Sequence, residues 1–328
     1  MSNFLQLVLF LAVLFIAFFL FFLEGELDSV SILVYEKNLF SFTHGDSPSI
    51  HTSGRDIFFI SSQGIFFYEN LEKSWFYEHS LKAPISFYYN RTVYFADILG
   101  TVMYSANNTG ILERIVYDYP IITFVAGTAV LAFSYGYRVE RINSQFTLTE
   151  AIPTIISKRT ENEFAISFLN IEEDLFSSVA FYNPELIGAV NFPRLVTGIY
   201  FIDHLALITF TDSVLAIDVS TRETLWQKEK ELVSHTKDSI AIYNKGILNI
   251  FNTEGYLLST TYANLTYLAG GDYFIFAEGN FFKAINKYGY LLWNHTSLHE
   301  VVSVHFIDGG VIFKTPIDIR IFNIRKGD

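Results

Sequence analysis

An all-β fold is predicted: an eight-bladed β-propeller, closed by both chain ends and preceded by a hydrophobic helix. Three observations predict it. Short apolar strands begin near Ile57, Val93, Val130, Phe164, Leu205, Ile240, Tyr273 and Val311, at separations of 33 to 41 residues. The composition suits strands, with 34 Phe and 20 Tyr but only 7 Pro among 328 residues. Beyond the N-terminal segment, nothing carries the 3.6-residue period of a long amphipathic helix, which disfavours a β/α design.

Each repeat starts as a strand, a small turn and a second strand, as in IFFISSQGIFFYE from Ile57 or LALITFTDSVLAID from Leu205. A polar turn, a third strand and an approaching fourth strand come next. Four short strands in about 36 residues make one twisted sheet, and radial stacking of such sheets buries both faces while leaving short, protected edges. Two packed sandwiches would not require so constant a repeat. The final unit runs out after VIFKTPIDIRIF, whereas Tyr35–Gly45 (YEKNLFSFTHG) parallels Tyr68–Ser80 (YENLEKSWFYEHS). A last blade shared by the two ends would satisfy otherwise open edges. The stretch 164–201 is the least regular, so seven blades is the alternative count.

Residues 1–28 form a separate segment, and 29–328 the propeller. Phe4 to Leu23 is apolar except for Gln6, and Glu24, Glu26 and Asp28 come directly after it. Twenty helical residues match a hydrocarbon core of roughly 30 Å. Neither a basic start nor a small-residue cleavage site is present, so an uncleaved membrane anchor is expected, with a cleaved signal peptide as the alternative. Four Asn-x-Thr triplets, at Asn90, Asn107, Asn264 and Asn294, are candidate glycosylation sites. Together with the apolar segment they place residues after about 28 in a lumenal or extracellular compartment, and the expected location is the lumenal side of the endoplasmic reticulum membrane or another secretory-pathway lumen.

Composition also excludes. The chain has no cysteine, hence no disulfide, thiolate nucleophile or Cys-ligated metal. Its 34 Asp and Glu against 22 Lys and Arg give a formal charge of −12, the wrong sign for a surface that neutralises nucleic-acid phosphates. Among eight His residues only His295-x3-His299 has a metal-like spacing, in a loop context. Gly270-Gly271 and Gly309-Gly310 precede strands, so they read as turns rather than phosphate cradles. Glu172–Asp174 and Glu229–Glu231 read as solvated faces. No catalytic, cofactor-binding or metal-binding residue is identified, and no cofactor is expected.

The clearest repeat, Ala216-Ile-Asp-Val-Ser-Thr-Arg-Glu-Thr-Leu-Trp226, resembles the tryptophan-docking repeat of quinoprotein-like (PQQ-type) propellers. It matches at Ala216, Asp218, Thr221 and Trp226 and carries Arg222 where that family has Gly. A degenerate copy runs from Ala284 through Asn286 and Gly289 to Trp293, and another ends at Trp75. The resemblance implies structural roles: Asp218 and Thr221 close a turn, and Trp75, Trp226 and Trp293 pack between blades. Quinone-dependent dehydrogenases of that superfamily use a vicinal cysteine pair, which this chain lacks. Val34–Phe42 also resembles the stretch after the signal peptide in the lumenal propeller of subunit 1 of the endoplasmic reticulum membrane protein complex, an insertase. That implies a subunit of a membrane-protein complex, bound to membrane or lumenal proteins. The lumenal sensor domains of the unfolded-protein-response kinases look like the same repeat family, so a lumenal sensor or adaptor is the second reading, and an enzyme using the propeller channel is the third.

Overall fold

The computed structural model describes residues 31–325 apart from 43–47, 80, 119, 126–130, 135–137, 142–143, 148–151, 161, 171–175 and 184. The expected segment 1–28 lies outside them, as do His44 and the Glu172–Asp174 cluster. Among the described residues there is no helix long and apolar enough to cross a membrane.

Every regular element described is a strand. Six four-stranded antiparallel sheets succeed one another along the chain, at 49–78, 84–116, 121–147, 152–192, 198–229 and 232–262, and form units 1 to 6. A seventh, eight-stranded sheet contains two more such units. Unit 7 is 267–296, and unit 8 combines three strands of 303–325 with Ser31–Ser41 as the fourth. The two halves meet where Ser31 and Ile32 pair in parallel with Trp293 and Asn294. Within unit 8, Ser31–Ser41 runs antiparallel to Asp318–Arg325. Three strands from one end of the described chain and one from the other thus complete the last unit.

Six predicted repeat starts fall on the second strand of a unit, at Asp56–Ile60, Thr92–Asp97, Phe164–Asn170, Leu205–Thr209, Ser239–Asn244 and Gly310–Lys314; Tyr273 directly precedes the second strand Phe274–Glu278, and Val130 lies outside the described residues, next to the second strand Leu131–Ser134. These strands face a neighbouring sheet on both sides, so apolar residues fill successive positions rather than alternate ones, as in Leu205–Thr209, where all five are buried. The irregular stretch near 164 forms a full four-stranded unit whose strands are seven or eight residues long. One proposed alignment shifts: Tyr35 already belongs to an outer strand, whereas Tyr68 lies in a third strand, Gly64–Glu69, and the register instead makes Lys37 the counterpart of Trp75.

The core is a series of slabs between neighbouring sheets. Phe181, Phe192, Ile208 and Ile217 fill the slab between units 4 and 5, and Phe59, Ile312 and Ile321 fill the one between units 8 and 1. First strands of successive units lie side by side, from units 1 and 2 through to 4 and 5, then 6 and 7, and unit 8 returns to unit 1. The sheets are therefore arranged radially, with first strands innermost and fourth strands outermost. At the closing unit, buried Lys314 donates to the Pro48 carbonyl at 2.8 Å, and buried Asp318 accepts from Thr315 and the Arg320 guanidinium. Burial pushes the Asp318 carboxyl up, but these bonds outweigh it and hold the group below the usual range.

Candidate functional site

Among the described residues, the first and third hairpin turns of the four-stranded units lie on one face of the molecule, and three features converge there.

The first is a series of contacts between units. Trp75, Trp226 and Trp293 share one register position, each pairing with a third-strand residue immediately before a β-bulge: Phe67, Ala216 and Ala284. The bulge turns the side chain towards the next unit. There Trp75 Nε1 donates to the Asn108 carbonyl at 2.9 Å and Trp226 Nε1 to the Thr253 carbonyl at 3.2 Å. Trp226 lies against Gly255, where a Cβ would stand 2.7 Å from the indole Cδ1, and Gly255 has φ +85°. Both indoles are only half-buried, because they ride on an outer strand. Trp293 is 1% exposed, since Ser31–Ser41 runs beside it, and its Nε1 donates to Tyr273 Oη at 3.2 Å. Burial pushes the Tyr273 hydroxyl up to about 12.

The same position holds other residues elsewhere. Lys37 in unit 8 donates through Nζ to the Leu71 carbonyl of unit 1 at 2.6 Å, and Ser259 in unit 6 donates to the Lys287 carbonyl of unit 7 at 3.3 Å. In unit 4 it is Gly188, and the contact is reversed: Arg222 of unit 5 reaches back to the Ile187 carbonyl at 3.2 Å. Arg222 has φ +63°, which explains the family's Gly at this turn. Asp218 closes the same turn, accepting from the Ser220 and Thr221 amides at 2.9 Å, and the Ser220 hydroxyl and Thr221 amide bonds hold its carboxyl below the usual range. Asn107, Asn252 and Asn286 do the same in units 2, 6 and 7.

The second feature is an apolar rim. The inter-unit contacts bring the outer turns of units 4 to 7 into one arc, on which Leu186, Leu225, Tyr256, Leu257, Tyr288 and Tyr290 are exposed.

The third is a cavity of about 530 Å³ where the inner turns of the same four units meet. Each contributes the end of its first strand and the start of the adjoining turn: Lys158–Thr160, Phe201–Asp203, His235–Lys237 and Gly270-Gly271. Gly270 is required here, since a Cβ would stand 2.1 Å from the His235 carbonyl oxygen. Arg159 pairs with Glu163 at 3.4 Å, Asp203 with His204 at 2.9 Å, and Lys158 Nζ lies 3.4 Å from the centre of the Tyr89 ring. Burial lowers the His235 imidazole, against a weaker opposing bond to the Thr236 carbonyl, so the ring is neutral at pH 7. Lys287 of the rim pairs with Asp238 at 2.6 Å, next to Lys237, and thereby joins rim and cavity. A smaller cavity of about 430 Å³ lies between units 1 and 2 on the same face, with Asp56, Glu69 and Arg91 above Phe58 and Tyr88.

The inner strands also carry His51 and His305, whose imidazoles burial lowers to about 4. His51 Nε2 lies 2.8 Å from Ser86 Oγ, and His305 Nε2 lies 3.0 Å from Ser303 Oγ. Among the described residues no group of three or more His, Asp or Glu is placed to hold a metal ion; His295 instead packs on the Phe322 ring. Of the four Asn-x-Thr sites, Asn90, Asn264 and Asn294 are exposed and Asn107 is half-buried. The cavity, Lys37, Ser259 and Gly188 were not foreseen from the sequence.

No family model matches the chain, and no curated protein matches its sequence. Solved structures do match its fold. BamB from Moraxella catarrhalis superposes with a TM-score of 0.63 at 10% identity, covering 89% of this chain and 99% of that one. The Cps50 (Swd1) β-propeller domain of Myceliophteria thermophila gives 0.53 at 8% identity, over 90% and 100% of the two chains. BBS1N, solved in complex with ARL6DN, gives 0.51 at 12% identity over 92% and 98%. The radial four-stranded units and these superpositions together establish the fold of the chain as a β-propeller.

Proposed function

We propose that the chain is a non-enzymatic scaffold: one closed ring of eight blades, held at a membrane by residues 4–23 and engaging protein subunits through the apolar rim of units 4 to 7. The exposed arc of Tyr and Leu side chains carries this reading, because contiguous exposed apolar surface of this kind marks protein contact sites. Support also comes from the neighbours in fold, since BBS1N was crystallised bound to another protein. The resemblance at Val34–Phe42 favours an insertase-type membrane complex in the endoplasmic reticulum over a lumenal sensor or adaptor. The blade-packing roles of Trp75, Trp226 and Trp293, the turn-closing roles of Asp218 and Thr221, and glycosylation of the four Asn sites belong to the same proposal.

The test is co-purification from detergent-solubilised membranes. Replacing Tyr256, Tyr288 and Tyr290 together by Ser is expected to release a subunit that the parent retains, with the unfolding transition unchanged. A partner-free monomer showing cofactor-dependent turnover would overturn the scaffold reading and favour an enzyme.

A further inference from the structure

We propose that the cavity at the inner turns of units 4 to 7 receives an acidic peptide segment of the partner, its carboxylates seated beside Lys237, Arg159 and Lys158. This deepens the scaffold reading and rests on the rim being the partner's seat.

Charge is the first argument. The chain is acidic overall, at −12, yet this cavity is lined by two Lys and one Arg against one acid. A cleft of one sign set in low-dielectric walls focuses its field on an incoming opposite charge. Of the acids nearby, Glu163 is paired with Arg159, and Asp238 with Lys287 and the Thr236 and Ser239 hydroxyls, while Asp203 lies 2.9 Å from His204 Nδ1. The Lys237 ammonium makes no ion pair or hydrogen bond among the described residues. It is exposed at the mouth, one residue from the neutralised Asp238.

Shape is the second. Gly270-Gly271 leaves one wall without side chains, while Phe201 and the buried Ile202 supply an apolar floor, so an extended segment with alternating apolar and acidic residues fits both surfaces. Continuity is the third. The Lys287–Asp238 pair joins the cavity mouth to the Tyr288 and Tyr290 turn, so a protein seated on the apolar arc reaches the cavity without leaving this face.

The test is fluorescence anisotropy of the full chain in a neutral detergent. The probe is a labelled peptide of alternating Leu and Glu, and the control is the same peptide with Gln for Glu. The acidic peptide should bind, weaken with added salt, and bind the Lys237→Met and Arg159→Met variants about 1.5- to fivefold more weakly, the range for exposed ion pairs. Asp203→Asn, which removes the one acidic lining group, should tighten binding; no damage to the fold would do that. Equal binding of the two peptides, or no response to Lys237→Met and Asp203→Asn, overturns the proposal, as does calorimetric binding of inorganic phosphate with no peptide binding. Loss of a subunit from the Tyr256, Tyr288 and Tyr290 variant, with peptide binding absent, would leave the rim reading standing and this one fallen. Peptide binding that responds to these variants, with the subunit retained by the rim variant, would do the reverse.

Discussion

Arg222 occupies the space that Gly188 leaves open: a Cβ built at 188 would lie 3.0 Å from both the Cδ and the Nε of Arg222. Where other units send a side chain forward to the next turn, this junction sends one back from the turn to the preceding strand. The two residues should therefore be energetically coupled. Gly188→Ala pushes the arginine off the Ile187 carbonyl and is expected to cost about 1–2 kcal/mol. In an Arg222→Gly background the same change should cost less, keeping only the backbone strain of a side chain at φ +158°, because nothing remains above the strand to displace. A double-mutant cycle in urea reads the difference, and additivity within about 0.5 kcal/mol would refute the coupling.

The three tryptophans should differ in weight. Trp293→Ala empties a fully buried site and is expected to cost about 3–5 kcal/mol. Trp226→Ala removes a half-buried ring and one hydrogen bond to a neighbouring unit, so about 2 kcal/mol is expected. Denaturation midpoints that reverse this order would show that exposure does not govern these contacts.

Acid should loosen the inner wall. His51 and His305 titrate near 4 in the folded protein because burial disfavours the charged ring, against an ordinary value of 6.5. Repulsion from Lys314 and from His51 adds to the effect at His305. Between pH 6.5 and 4 the unfolded chain binds protons that the native wall refuses, so stability is full above 6.5 and declines as pH falls towards 4. The slope is on the order of 1.4 kcal/mol per pH unit for each histidine. Thermal unfolding across this range should show the decline, and His51→Gln should flatten it.

Asn90 and Arg91 form a tight hairpin turn with φ of +47° and +60°. Asparagine tolerates that geometry better than most residues. Asn90→Gln would therefore disturb the turn as well as the glycosylation site, whereas Thr92→Val removes the site and suits the strand that Thr92 begins. If Asn90 carries a glycan, Thr92→Val should abolish one glycosidase-sensitive mobility shift with the unfolding midpoint nearly unchanged. No shift in the parent would exclude a glycan there.

Burial decides how much of this fold is legible in the sequence. Second strands such as Leu205–Thr209 carry runs of consecutive apolar residues, so they stand out and their spacing discloses the repeat. First strands such as Leu232–His235 and Tyr267–Gly270 are only half-buried and mixed in character, and they left no pattern. The tryptophan motif was visible at Trp226, but Lys37, Ser259 and Gly188 hold the same position with no residue type in common; only strand register reveals them. The cavity draws on residues from Lys158 to Gly271, four turns spread over more than a hundred residues of the chain. Their convergence is a property of the ring, and Gly270-Gly271 alone shows no more than a turn.

The pairing of Ser31–Ser41 with Asp318–Arg325 imposes an order on synthesis. Asn38 and Asp318, 3.5 Å apart in the finished ring, are separated by 280 positions. At ribosomal rates of about 5–20 residues per second, the earlier strand waits roughly 15–60 s for its partner. Throughout that interval the backbone edge of Ser31–Ser41 stays uncapped, and the flank of unit 7 around Trp293 joins it once Leu291–Thr296 is made, the period in which a nascent chain is most exposed to pairing with another copy. Ribosome stalling between residues 296 and 318 would leave both edges open at once, so the nascent chain's demand for chaperones should be greatest when nearly all of its sheets are already made.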